Sequence, residues 1–392
     1  MLRNFLKTPI ASLTLTACLL MLLAIAPGCT PKRAGTLGRT KNPESRKPLP
    51  DSLDLKIGQM IMMGIGDRKT LSPADPLVQE LKQGKLGGIA IFEKNLSPSA
   101  SAATLRSFIS DMQRQASIPL FVTIDEEGGR VHRLKAKYGF MDMPSAAYLG
   151  KLDNPDSTRY HNRRLASLLA DLGINLNYAP CVDVAVNPDN PVIVKNNRSF
   201  SADPAVVTRH ASLVIQAHQE QGVRTILKHF PGHGSSMSDS HLGIADVSNT
   251  WKPLELNPYR EIIASGKCDA VMTAHIVHSG LEKKSLPATL SRTIITGLLR
   301  DSLGFNGVVF SDDMQMHAIS SNYGFENALA LAINAGVDVL MFANNVTAGE
   351  KSWTASEAHA AIRRLVDRGE VSRQRIDASY RRIMRLKSSI KK

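Results

Sequence analysis

Three stretches of this 392-residue chain place reactive side chains directly after apolar runs. In the first, Val308-Val309-Phe310 passes abruptly into Ser311-Asp312-Asp313. Burying an unpaired carboxylate is costly, so these acids should face an opening and serve a purpose there. The ordinary alternative for an Asp at a strand end is an N-cap for the next segment, and Asp313 is expected to be that cap. The second stretch runs from Lys228 and His229 through Phe230-Pro231-Gly232-His233-Gly234-Ser235-Ser236-Met237-Ser238 to Asp239-Ser240-His241. Asp239 and His241 are spaced to form a carboxylate–imidazole pair, which fixes the tautomer and favours the protonated ring. His229 and His233 have the spacing of a helical metal site, but Pro231, Gly232 and Gly234 oppose a helix there, so no metal is expected. A phosphate loop is no better supported, because no Gly-Lys-Ser/Thr follows the glycines. The third stretch, Ile124-Asp125-Glu126-Glu127-Gly128-Gly129-Arg130-Val131-His132-Arg133, is either an ion-paired turn or a set of acceptors and donors suited to vicinal hydroxyls.

Such side chains need a frame to hold them. Short β-branched or apolar runs recur at 57–65, 87–92, 121–125, 174–180, 224–230, 268–276, 307–312 and 338–342. Between them, segments at 102–115, 159–172, 204–221, 253–265, 292–302 and 325–335 repeat apolar residues at three- and four-residue steps. Gly173, Gly222, Gly266, Gly304 and Gly336 follow helical segments, where a left-handed residue is expected. Eight βα units without an internal linker predict a single (β/α)8 barrel in the α/β class. A barrel of this kind carries its chemistry at the C-terminal ends of its strands, which is where Asp125, Lys228, His229, His275, Asp312 and Asp313 fall.

The formal charge of +13 sits at the two ends of the chain. Residues 1–50 hold eight Lys or Arg against Glu44 alone, and residues 381–392 hold six with no acid, which leaves the body neutral. A neutral body argues against nucleic acid as a partner. At the N-terminus, Arg3 and Lys7 precede an apolar stretch to Ala26, then Pro27-Gly28-Cys29 and a basic polar run. This is the order of an export signal, and it resembles a bacterial lipoprotein signal with Cys29 as the lipidated residue. The alternatives are cleavage before Cys18 and an uncleaved membrane anchor. The expected organisation is a signal over 1–28, a flexible tether over 29–50 and a catalytic domain over 51–392, held as a membrane-tethered lipoprotein of the bacterial cell envelope. Cys181 and Cys268 show no metal-ligand spacing and are expected to be unpaired thiols.

Taken together, Asp125-Glu126-Glu127-Gly128-Gly129-Arg130-Val131, Asn197-Arg198-Ser199-Phe200, the Lys228–Gly234 stretch with Asp239-Ser240-His241, and Phe310 to Met316 resemble glycoside hydrolase family 3, and within it the bacterial β-N-acetylglucosaminidases (β-N-acetylhexosaminidases) of peptidoglycan turnover. The likeness runs from about residue 53 to about 385 and implies a single-domain (β/α)8 form. It implies Asp312 as nucleophile, His241 as general acid/base and Asp239 as its orienting partner. It also implies that Asp125, Arg133, Arg198, Lys228 and His229 hold the sugar hydroxyls and N-acetyl group, with no cofactor and a monomeric chain. Glu126 stands where Gln is frequent, Ser236 where Thr is frequent and Asn196 where Gly is frequent, which bears on fine sugar preference.

The reaction so implied is exo-acting and retaining. Retaining glycosidases ordinarily set two carboxyls about 5 to 5.5 Å apart, one as nucleophile and one as proton donor. Here a histidine takes the donor's place, with an unperturbed pKa of about 6.5 suited to proton transfer near neutrality. His241 sits on a loop, so it is expected to reach the scissile oxygen when that loop closes over substrate. Nearby lysine and arginine should keep Asp312 ionised. A phosphorylase and a non-catalytic glycan-binding lipoprotein are the competing readings.

Overall fold

The computed structural model describes residues 52–239, 243–345 and 351–390. Its strands are β1 (Ile61–Gly64), β2 (Gly88–Ile91), β3 (Phe121–Ile124), β4 (Leu176–Asn177), β5 (Arg224–Phe230), β6 (Ala245–Asp246), β7 (Ala270–Thr273), β8 (Ile276–Val277), β9 (Val308–Asp313) and β10 (Val339–Phe342). Eight of them close a barrel in the order β1-β10-β9-β7-β5-β4-β3-β2, while β6 and β8 pair only with each other. Every barrel pairing is parallel, and β1 completes the ring by bonding both β2, at Met62 opposite Gly88, and β10, at Ile61 opposite Leu340. The expected (β/α)8 barrel is therefore the observed fold.

Around it lie α1 (Leu53–Gln59), α2 (Pro76–Lys82), α3 (Ser101–Gln115), α4 (Ala146–Leu152), α5 (Pro155–Leu172), α6 (Pro204–Glu220), α7 (Asn257–Ala264), α8 (His317–Tyr323), α9 (Phe325–Ala335), α10 (Ala355–Asp367) and α11 (Arg373–Ser389). Among the described residues no helix is long and apolar enough to cross a membrane. Three expectations need correction. The run 57–65 divides into the end of α1 and β1, because Ser52 caps a helix by accepting from Leu55 N and extended backbone begins only after Met60. The run 268–276 divides into β7 and the start of β8. Residues Thr293–Ser302 wind as a π-helix rather than an α-helix.

The barrel is filled rather than hollow. Tyr178 Oη reaches Met62 Sδ at 2.6 Å and Met341 Sδ at 3.5 Å. Its ring meets Phe310 edge-on at 6.4 Å, and Phe310 packs on Phe121 at 6.0 Å. Lys228 Nζ lies 6.0 Å above the Tyr178 ring at one end of this column, and Lys387 Nζ lies 4.8 Å from the Phe121 ring at the other. Lys387 donates to Gln59 Oε1, Gly87 O and Pro119 O at 2.6–2.7 Å, so α11 closes the base where β2 and β3 begin. Beside it Asp338, just ahead of β10, accepts from Arg300, Arg375, Arg382, Ser379 and Val309 N. Two of the basic residues near the C-terminus, Arg382 and Lys387, are thus spent on tying α11 to the barrel.

Candidate active site

The opposite rim gathers the residues singled out by sequence. Asp125 follows β3, Lys228 and His229 lie within β5, and Asp312 and Asp313 end β9. At the centre, Lys228 is 2% exposed and its ammonium bridges Asp125 Oδ1 and Glu127 Oε1 at 2.7 Å each. Arg198 grips Glu127 with Nε and Nη2 at 2.9 and 2.8 Å, a bidentate pair of the strong charge-assisted kind. Arg133 Nη2 reaches Asp125 Oδ2 at 3.4 Å. Five side chains from two loops and one strand therefore form one alternating chain of charge: Arg133, Asp125, Lys228, Glu127, Arg198.

Electrostatics follows from that alternation. Burial would raise both carboxyls, but Lys228 and Arg133 outweigh it at Asp125, and Arg198 and Lys228 outweigh it at Glu127, which is held down at about 2. Burial would likewise lower Lys228, yet Asp125 and Glu127 raise it instead. All three groups keep their charges across the neutral range and present acceptors and donors at fixed positions.

Local structure explains why these residues meet. Glu126 is buried and braces its own loop: it accepts from Arg133 N at 2.9 Å and Leu134 N at 3.1 Å, and it contacts His132 Nδ1. This fixes the backbone that carries Arg133. Arg198 lies in the loop after residues 190–196, where Asn190 Oδ1 accepts from Val192 N and Ile193 N. Ala147 N in α4 donates to Asn197 O and seats that loop from the other side.

The strand-end acids of β9 behave differently from one another. Asp312 is half-buried, and its Oδ1 accepts from Asp313 N at 2.8 Å. Asp313 Oδ1 accepts from Gln315 N at 3.1 Å and from Ala343 N at 3.0 Å. The helix that follows is capped by Met316 without a side-chain bond, so Asp313 locks the β9 turn to the end of β10 rather than capping α8. His275 supports the same turn, with Nε2 2.9 Å from Asp313 O and Nδ1 2.7 Å from Thr289 Oγ1. Burial is the main cause that drives the Tyr178 hydroxyl upward, and the charges of Asp125, Asp312 and Asp313 add to it.

The loop after β5 is anchored from below. Glu255 is fully buried and accepts from Gly234 N at 2.9 Å and Ser235 N at 3.3 Å. Burial pushes its carboxyl up to about 7. Asp239, further along, is half-buried; His241 and Cys29 lie outside the described residues.

Two acids that sequence did not single out as site residues belong to the cluster. Glu127 was visible only as one acid among three. Asp183 follows the two-residue strand β4, and the apolar run ahead of it, 174–180, stops short of it. The rule that flagged Asp125, an acid just beyond an apolar strand, would have found Asp183 with a slightly longer window. Cys181, Asp183 and His229 bring sulfur, oxygen and nitrogen within 4.8 Å of one another. Asp183 already accepts from His229 N, His229 Nδ1, His233 N and Cys181 Sγ, so the set reads as a saturated hydrogen-bond network rather than a metal centre. Cys181 and Cys268 are both free thiols.

With this geometry in view, the family model "Glycosyl hydrolase family 3 N terminal domain" matches residues 52–386. The chain belongs to glycosyl hydrolase family 3. Among relatives, a β-hexosaminidase A of Pseudoalteromonas piscicida is 32% identical, covering 82% of this chain and 57% of its own length. A β-hexosaminidase of Mycobacterium tuberculosis, LpqI, is 36% identical over 69% of this chain and 68% of its own. A solved family 3 β-N-acetylglucosaminidase from Paenibacillus sp. superposes with a TM-score of 0.78 at 35% identity, covering 86% of this chain and 62% of that one. The β-N-acetylhexosaminidase of Beutenbergia cavernae gives 0.76 at 28% identity, covering 86% and 98%. The chain thus spans 57% of the length of the Pseudoalteromonas protein and 62% of the Paenibacillus one, and 98% of the Beutenbergia one.

Proposed function

We propose that this family 3 chain is an exo-acting, retaining β-N-acetylhexosaminidase that releases terminal β-linked N-acetylglucosamine from peptidoglycan fragments or similar amino-sugar glycans. One observation carries the reading: Asp312 ends β9 on the same rim where Asp125, Lys228, Glu127 and Arg198 form a preorganised, fully charge-paired surface of donors and acceptors. Hydroxyl and amide groups of a sugar need such a surface, and its charges are set before the ligand arrives.

In the proposed reaction the Asp312 carboxylate attacks the anomeric carbon while the bond from that carbon to the leaving oxygen breaks. The proton on His241, oriented by Asp239, goes to the leaving oxygen. Water then opens the glycosyl–Asp312 ester, giving its proton to His241. The names carried by the hexosaminidase relatives support the amino-sugar preference. Residues 1–28 as an export signal and Cys29 as a lipidated residue complete the proposal, with 29–50 as tether and 51–392 as catalytic domain.

The test is hydrolysis of a chromogenic β-N-acetylglucosaminide beside the matching β-glucoside, with and without phosphate. The expected result is rapid release of the amino sugar, loss of activity in Asp312→Ala and partial sparing of His241→Ala on a good leaving group. An Asp312→Ala protein that keeps its rate defeats the mechanism, and a sugar phosphate as the main product turns the assignment to a phosphorylase.

A further inference from the structure

Asp183 is fully buried just beyond β4, and its carboxylate is ringed by donors. Oδ1 accepts from His233 N at 2.7 Å and His229 N at 3.2 Å, while Oδ2 accepts from His229 Nδ1 at 2.7 Å and Cys181 Sγ at 3.2 Å. On the far side of the same imidazole, His229 Nε2 stands 3.2 Å from Arg198 Nη2. A guanidinium only donates, so Nε2 must offer its lone pair, and the ring's one proton is on Nδ1, given to Asp183. Arg198 in turn holds Glu127, and Glu127 holds Lys228.

We infer that Asp183 is a positioning residue of this cluster: it fixes His229 as the Nδ1–H tautomer, so that Nε2 is an acceptor whose lone pair orients Arg198. Asp183 acts through His229, since the imidazole stands between it and Arg198. The argument rests on the sugar-binding reading of the cluster for its ligand, but the tautomer follows from donor and acceptor chemistry alone.

The experiment uses the full chain with 15N-labelled histidine. Resonances of His229 are identified by their loss in His229→Gln. In the parent protein His229 should show a protonated Nδ1 and an unprotonated Nε2; the opposite pattern overturns the inference without any variant or any activity. In Asp183→Asn the preference for Nδ1–H should weaken, and KM for a chromogenic β-N-acetylglucosaminide should rise about 10- to 100-fold, as expected when a hydrogen bond to a charged group is lost, with a much smaller change in kcat. In a His229→Gln background, adding Asp183→Asn should move KM by no more than about twofold, because coupled residues do not add. If the two changes instead multiply, Asp183 does not work through His229. Failure of the substrate reading leaves the nitrogen pattern untouched, so the two are told apart.

Discussion

At the scale of single residues, the rim works because Lys228 stands between two carboxylates that would otherwise repel. With Asp125 and Glu127 each 2.7 Å from its ammonium, removing that charge leaves a half-buried Asp125 and the buried carboxylate of Glu127 without their shared counter-charge. Breaking a buried pair in this way typically costs about 3–5 kcal/mol. The pH dependence has a definite sign. Glu127 is depressed from 4.5 to about 2, so its stabilising contribution is complete above about pH 4.5 and is lost as pH falls through 2. Asp125 is shifted in the same direction. In Lys228→Met both acids should protonate more readily, so the acid unfolding midpoint, followed by circular dichroism, should move to higher pH than in the parent. A midpoint that stays in place would mean that Arg198 and Arg133 alone hold the two acids ionised. Asp125, Arg133, Arg198, Lys228 and His229 were legible in the sequence because each sits beside a strand end or a short polar motif. Asp183 was not, because the apolar run ahead of it stops short of it, and its donors His229, His233 and Cys181 come from β5, the loop after β5 and its own loop.

At the scale of elements, position is transmitted by close backbone contact. α4 meets the Arg198 loop at Gly150, where a Cβ would come within 1.8 Å of Phe200 O. That distance admits no side chain, so Gly150→Ala must push the 197–200 loop away from α4. Overpacking of this kind typically costs about 1–3 kcal/mol. Because Arg198 rides on the displaced loop, KM for the amino-sugar substrate should rise several-fold more than kcat falls, and a steady-state comparison with the parent decides it. Equal KM values would show that α4 and the loop yield elsewhere. The elements themselves were read from sequence with uneven success, for physical reasons. Long helices such as α3, α5 and α6 have enough turns to show their period, whereas seven-residue helices such as α1, α2 and α4 do not. Only Met60 separates α1 from β1, so the two read as a single run. The π-helix at 293–302 carries the same amphipathic signal as an α-helix, and only its hydrogen bonds tell the two apart.

At the scale of the whole molecule, the barrel separates what holds it together from what reacts. A column of Tyr178, Phe310 and Phe121 joins Lys228 at the rim to Lys387 at the base, yet the two lysines have opposite roles. Lys228 bridges two acids and, in the proposed function, organises charge for a ligand. Among the described residues Lys387 pairs with no acid: its three protons go to Gln59 Oε1, Gly87 O and Pro119 O, closing α1, β2 and β3 against α11. Replacing it with methionine keeps much of the apolar stem over Phe121 but leaves three acceptors without their donor. Each such loss typically costs about 1–3 kcal/mol where water cannot enter, and less where it can. Lys387→Met should therefore lower the denaturant midpoint measurably, while kcat and KM at temperatures where the protein is folded remain those of the parent. Barrel architecture predicts this separation, because conserving the base serves stability and the strand C-termini serve chemistry. If Lys387→Met instead changes KM as Lys228→Met does, then the aromatic column transmits displacement from base to rim, and the interior is a lever between the two ends rather than a filler.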